Sequence, residues 1–81
     1  MPKSIFSVGQ EKLQKLLRQV RTDAGFTQIE LADKLRRPQS FVSKYESGER
    51  RLDLIELRQI CETLKISLAD FVKRFEKSLG A

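Results

Sequence analysis

Residues 27–48 constrain this chain most, because a helical pattern there opens, breaks and at once reopens. Thr27-Gln28-Ile29-Glu30 reads as a capping box, a hydroxyl followed three residues later by a carboxylate, ahead of apolar Ile29, Leu31, Ala32 and Leu35. Arg36-Arg37-Pro38 interrupts that helix after about two and a half turns, since proline cannot continue a helix but suits the first turn of the next. The second helix runs from Gln39 to Ser47, with Val42 and Tyr45 pointing inward and Gly48 as its stop. A break that short forces the two helices to cross steeply, at roughly 90–120°, instead of lying antiparallel. The first helix then holds the second out from the body.

The remaining chain supplies helices for this pair to rest on. Leu13, Leu16, Leu17 and Val20 recur at helical spacing among Lys12, Lys15 and Arg18, with Ser7 and Gln10 as cap and Gly25 as stop. Asp53 with Glu56 opens a fourth helix whose apolar face is Leu54, Leu57, Ile60, Cys61 and Leu64. Ser67 with Asp70 opens a fifth, striped by Leu68, Phe71, Val72, Phe75 and Leu79. Strand signals are nearly absent, so the expected fold is all-α, five short helices in one compact domain. The Leu and Phe stripes read as core. Phe71, Phe75 and Leu79 either complete that core or form a dimer surface, and Phe41 either packs inward or reaches a ligand.

Composition narrows the function. An 81-residue chain makes one domain, and at this size it buries only about 60–65% of its unfolded surface, so help from a second copy is expected. Histidine is absent and the one cysteine, Cys61, has no partner for a disulfide, so Cys/His metal centres and histidine-based acid/base catalysis are excluded. The four glycines form no phosphate-cradling loop. No cofactor, metal or catalytic role is expected, and Cys61 reads as a buried, inert thiol. No apolar run approaches the ~18 residues that span a bilayer, and the opening Met1-Pro2-Lys3-Ser4-Ile5-Phe6 lacks a secretory core. The expected compartment is the cytoplasm, with no membrane partner.

Charge then points to a partner. Residues 34–51 carry six cations (Lys34, Arg36, Arg37, Lys44, Arg50, Arg51) against Glu46 and Glu49, a local +4 of the chain's +5. On the second helix the solvent side is Gln39, Ser40, Ser43 and Lys44, a polar face without an acid. That face matches the major groove of DNA, where base edges offer acceptors and phosphates repel carboxylates. Glutamine can pair with adenine N6 and N7, and lysine can reach guanine O6 and N7. Glu46, one turn beyond Val42, is expected to face inward. Arg50 and Arg51, in the following loop, are expected phosphate contacts.

Arg21-Thr22-Asp23-Ala24-Gly25-Phe26-Thr27-Gln28, Leu31-Ala32, residues 39–48 and Leu64-Lys65-Ile66-Ser67-Leu68 together resemble the phage-repressor and Xre family of helix-turn-helix DNA-binding domains. The likeness runs from about Leu13 to Phe71 and implies a lambda-repressor-like fold with the recognition helix at Gln39 to Ser47. It implies base contacts by Gln39, Ser40, Ser43 and Lys44, and support or phosphate contact by Thr27, Gln28 and Ser47. It also implies an internal ion pair between Arg21 and Glu46, and a close helix contact at Ala32 against Val42. Two departures stand out. Arg36 holds a turn position where many relatives have glycine, so either it bears a backbone cost or the turn is not left-handed. Pro38 replaces a Ser or Thr cap, and Arg36 and Arg37 join the candidate phosphate contacts.

The sequence therefore suggests a transcriptional regulator, a repressor or autoregulator. Residues 9–77 are its DNA-binding domain, 1–8 an arm and 78–81 a tail. As a homodimer on a near-palindromic operator it would read about four or five base pairs per half-site, with half-sites about 34 Å apart or a multiple of it. Without an effector domain, control would come from its own concentration or a partner protein. Two rivals stay open. One is an antitoxin or restriction-modification controller of the same fold, with a toxin or another regulatory protein as partner. The other is a protein-interaction module that does not read DNA.

Overall fold

A computed structural model describes residues 7–80. Five helices follow in chain order: α1 (Val8–Asp23), α2 (Gln28–Leu35), α3 (Gln39–Ser47), α4 (Leu54–Thr63) and α5 (Leu68–Ser78). No strand occurs among the described residues. Most of the expected arm and the last residue of the expected tail lie outside them, and α1 begins within the arm, at Val8.

Local hydrogen bonds set most of the boundaries. Thr27 and Asp53 each form a complete capping box with Glu30 and Glu56, in which side chain and backbone satisfy each other's free groups. Ser7 and Ser67 accept from the amides of Gln10 and Asp70. The helix that lacks such a cap is α3, whose N-cap is Pro38. Its position is fixed by tertiary contacts instead.

The turn between α2 and α3 is left-handed. Arg36 sits at φ 57° and ψ 44°, with its N–H directed to the carbonyls of Ala32 and Asp33, and the Arg37 N–H reaches the Ala32 carbonyl at 2.9 Å. Arginine therefore occupies a conformation that costs an L-residue roughly 1–2 kcal/mol and glycine almost nothing. Arg36→Gly removes that cost but makes the unfolded chain more flexible, so a net stabilisation of about 0.5–1 kcal/mol is expected. A thermal melt should read it as a rise of a few degrees, and a fall in Tm would contradict the turn geometry.

All five helices feed one core. Leu16, Leu17 and Val20 of α1 meet Leu31 and Ala32 of α2, Phe41, Val42 and Tyr45 of α3, Ile60 and Cys61 of α4, Leu64 and Phe71. Helix α2 packs on both α3 and α4, and α5 packs on α1 and α4. The α2–α3 pair is thus backed from two sides while the outer face of α3 stays open. Four residues assigned to apolar faces by periodicity are exposed: Ile29, Leu54, Val72 and Leu79. Ile29 and Leu54 lie in the first turns of α2 and α4. Val72 and Leu79 lie at the edge of the α5 stripe, which buries Phe71 fully and Phe75 in part.

Cys61 is fully buried, and burial pushes its thiol up to about 11, which keeps it protonated and unreactive near neutral pH. No helix among the described residues is long and apolar enough to cross a membrane.

Candidate nucleic-acid interface

Helix α3 presents Gln39, Ser40 and Lys44 to solvent with Ser43 half-buried beside them, while Phe41, Val42, Tyr45 and Glu46 turn inward. The four residues expected at the bases therefore share one outer face. Two of the serines are tied to the helix's own backbone: Ser43 Oγ donates to the Ser40 carbonyl at 3.5 Å, and Ser47 Oγ to the Lys44 carbonyl at 3.1 Å. Lys44 and Gln39 are left as the long, adaptable donors of the face.

Beneath that face runs a relay of polar contacts. Glu46 is 3% exposed and accepts a two-point fork from Arg21, Nε to Oε2 at 2.7 Å and Nη2 to Oε1 at 3.0 Å. Arg21 spends a further N–H on the Phe26 carbonyl at 2.9 Å. The hydrogen bonds it donates to Glu46 raise the pKa of Arg21 above its ordinary value. Gln28 Nε2 donates to Glu46 Oε1 at 3.1 Å, and Gln39 Nε2 donates to Gln28 Oε1 at 3.2 Å. The buried ion pair thus orients Gln28, and Gln28 steadies Gln39 at the head of α3. Sequence reading named all four residues but not the link from Gln28 to Glu46, which depends on how α2 and α3 cross.

Thr27, Gln28, Ile29 and Gln39 help line an open hollow where the end of α1 meets the starts of α2 and α3. Thr27 is exposed there, although its N–H is committed to Glu30 Oε1 at 2.9 Å. Arg36 and Arg51 are exposed and, among the described residues, have no ion-pair partner.

Arg37 and Arg50 are placed differently. Their guanidinium groups lie 4.3 Å and 4.9 Å from the centre of the Phe41 ring, which is buried and meets Tyr45 edge to face at 5.4 Å. Phe41 therefore packs inward as a platform for two cations. Arg50 also forks onto Glu56, and those hydrogen bonds, with the Asp53 N–H, hold the Glu56 carboxyl down at about 2. Nothing in the sequence marked Glu56 beyond its capping role.

A family model described as helix-turn-helix matches residues 17–71. The chain belongs to the Xre-like helix-turn-helix family. An XRE-family like protein from Pseudomonas syringae pv. tomato str. DC3000 is 42% identical, with a TM-score of 0.82 over 91% of this chain and 90% of that one. The clp gene regulator ClgR from C. glutamicum is 30% identical, with a TM-score of 0.77 over 89% and 92%. The restriction-modification controller protein C.Esp1396I, solved as a tetramer with its natural 35 base-pair operator, is 25% identical, with a TM-score of 0.82 over 93% and 99%. Compared with curated proteins, the chain finds no match. Fold and family are those of DNA-binding transcription regulators, and the helix-turn-helix is α2 and α3.

Proposed function

We propose that this helix-turn-helix protein represses or autoregulates transcription by reading a near-palindromic operator as a homodimer, with α3 in the major groove. The observation that carries this reading is the acid-free outer face of α3, whose lone carboxylate, Glu46, is buried and neutralised by Arg21. Gln39, Ser40, Ser43 and Lys44 are the base-reading side chains. Thr27, Gln28, Arg36, Ser47 and Arg51 surround them as phosphate contacts, and residues 9–77 form the binding domain. The protein works on the nucleoid, where its operator is.

Pairing follows from size. One nine-residue helix reaches too few base pairs to single out a site among the ~10⁶ or more competitors in a genome. Two copies on half-sites one helical turn apart, about 34 Å, double the reading. The controller protein among the solved relatives is a tetramer on its operator, which supports assembly on DNA. The same likeness keeps a restriction-modification controller as a second reading of the biological role, with identical chemistry at the bases.

Selection from random duplexes tests the proposal, with an enriched, two-fold symmetric motif as the expected outcome. On that motif Lys44→Ala should lose about 1–3 kcal/mol and relax one base position per half-site. Arg51→Ala should weaken all duplexes alike and flatten the salt dependence by about 0.9 for each phosphate the protein ceases to neutralise. An intact fold that enriches no motif would leave the protein-interaction reading in its place.

A further inference from the structure

Arg37 and Arg50 flank the recognition helix, one two residues before α3 and one three residues beyond it. Both converge on Glu56. Arg50 Nη1 donates to Oε1 at 3.0 Å and Nη2 to Oε2 at 2.8 Å, while Arg37 Nη2 lies 3.5 Å from Oε2. The carboxylate is anchored independently of either arginine, because Oε1 also accepts the Asp53 N–H at 3.1 Å in the capping box of α4. The Phe41 ring supports both guanidinium groups from beneath, and both side chains remain about two-fifths exposed.

A guanidinium fork that fits a carboxylate also fits a phosphate. We propose that Glu56 stands in the place of a DNA phosphate: it withholds Arg37 and Arg50 from the sugar-phosphate backbone and clamps both ends of the recognition helix to α4. This rests on the DNA-reading function above and sharpens it. Sequence-independent affinity comes from phosphates neutralised by Lys and Arg, so tying up two of the six cations around α3 weakens the grip on random DNA. Clamping α3 at both ends keeps its base-reading side chains in register. Together the two effects widen the gap between operator and random sequence.

The test measures duplex affinity against salt concentration by fluorescence anisotropy, on a random-sequence duplex and on the selected motif. Glu56→Gln should steepen the log–log salt slope on random DNA by about 1–2, since each additional phosphate neutralised adds about 0.9. At 0.1 M salt that corresponds to roughly a 10- to 100-fold gain in random-duplex affinity, and the ratio of motif to random affinity should fall. Glu62→Gln, which removes the same charge from α4 and frees Arg58, controls for net charge and should leave the slope unchanged. Adding Arg50→Gln to Glu56→Gln should take back about 0.9 of that slope, the share of one arginine.

An unchanged slope in folded Glu56→Gln, or an equal change in Glu62→Gln, overturns the assignment. If Glu56→Gln fails to fold, Arg50→Gln alone decides: an unchanged slope supports Glu56 as the holder of that arginine, and a slope shallower by about 0.9 shows that Arg50 grips phosphate instead. A wild-type chain with no salt-dependent duplex binding would strike the DNA-reading function itself, a result distinct from all of these.

Discussion

Glu46→Ala is expected to cost about 3–5 kcal/mol of folding stability, because it strands the Arg21 guanidinium in the interior without its partner. A domain of this size has about 4–12 kcal/mol in total, so the variant stands at the edge of unfolding. Arg21 is 9% exposed, on the helix α1 that packs against α3. In a thermal melt by circular dichroism the destabilisation should read as a Tm lower by roughly 15–30 °C. Glu46→Gln keeps an acceptor for Arg21 and should fall between the two. Arg18 lies 3.8 Å from Glu46 but is 64% exposed on its side chain, so Arg18→Ala should change stability by less than about 1 kcal/mol. Equal Tm values for Glu46→Ala and wild type would sink the structural role of the pair.

The same substitution reaches the DNA-facing surface. Without Glu46, Gln28 loses the acceptor for its amide and Gln39 loses a fixed neighbour. The folded fraction of Glu46→Ala should therefore bind its operator less tightly than wild type, although Glu46 itself touches no base.

What the sequence disclosed, and what it did not, divides by range of interaction. Thr27 with Glu30 and Asp53 with Glu56 were legible because a capping box closes within four residues and needs no tertiary partner. Residues 21 and 46 are 25 apart, and their pairing was implied by family resemblance alone. The fork of Arg50 on Glu56 was not legible at all. A long cationic side chain in a loop takes whatever acceptor the fold brings near, and here α4 brings a carboxylate already oriented by its own cap. Phe41 was ambiguous for a related reason: its place at the edge of α3 acquires meaning only when Arg37 and Arg50 close over the ring. Ile29 misled the reading of apolar faces because it stands one residue off the row that the fold buries, in which half-buried Gln28 precedes Leu31, Ala32 and Leu35.

Phe71→Ala should be comparably severe, at about 3–5 kcal/mol for a fully buried phenyl ring whose removal leaves a cavity. Phe71 is the one fully buried residue of α5, and the helix has only partly buried Leu68 and Phe75 to hold it otherwise. Eleven residues form a marginal helix in isolation, so α5 depends on that anchor against α1 and α4. Its loosening should open the core on the α4 side, where Cys61 is fully buried. The thiol then reports the event: wild type should react slowly with a thiol reagent at about pH 8, since burial both shields Cys61 and keeps it protonated, and Phe71→Ala should react fast. Val72→Ala, on an exposed neighbour, is the control and should leave the reaction slow. Slow labelling and an unshifted Tm in Phe71→Ala would show that α5 is held by its edges, not by its centre.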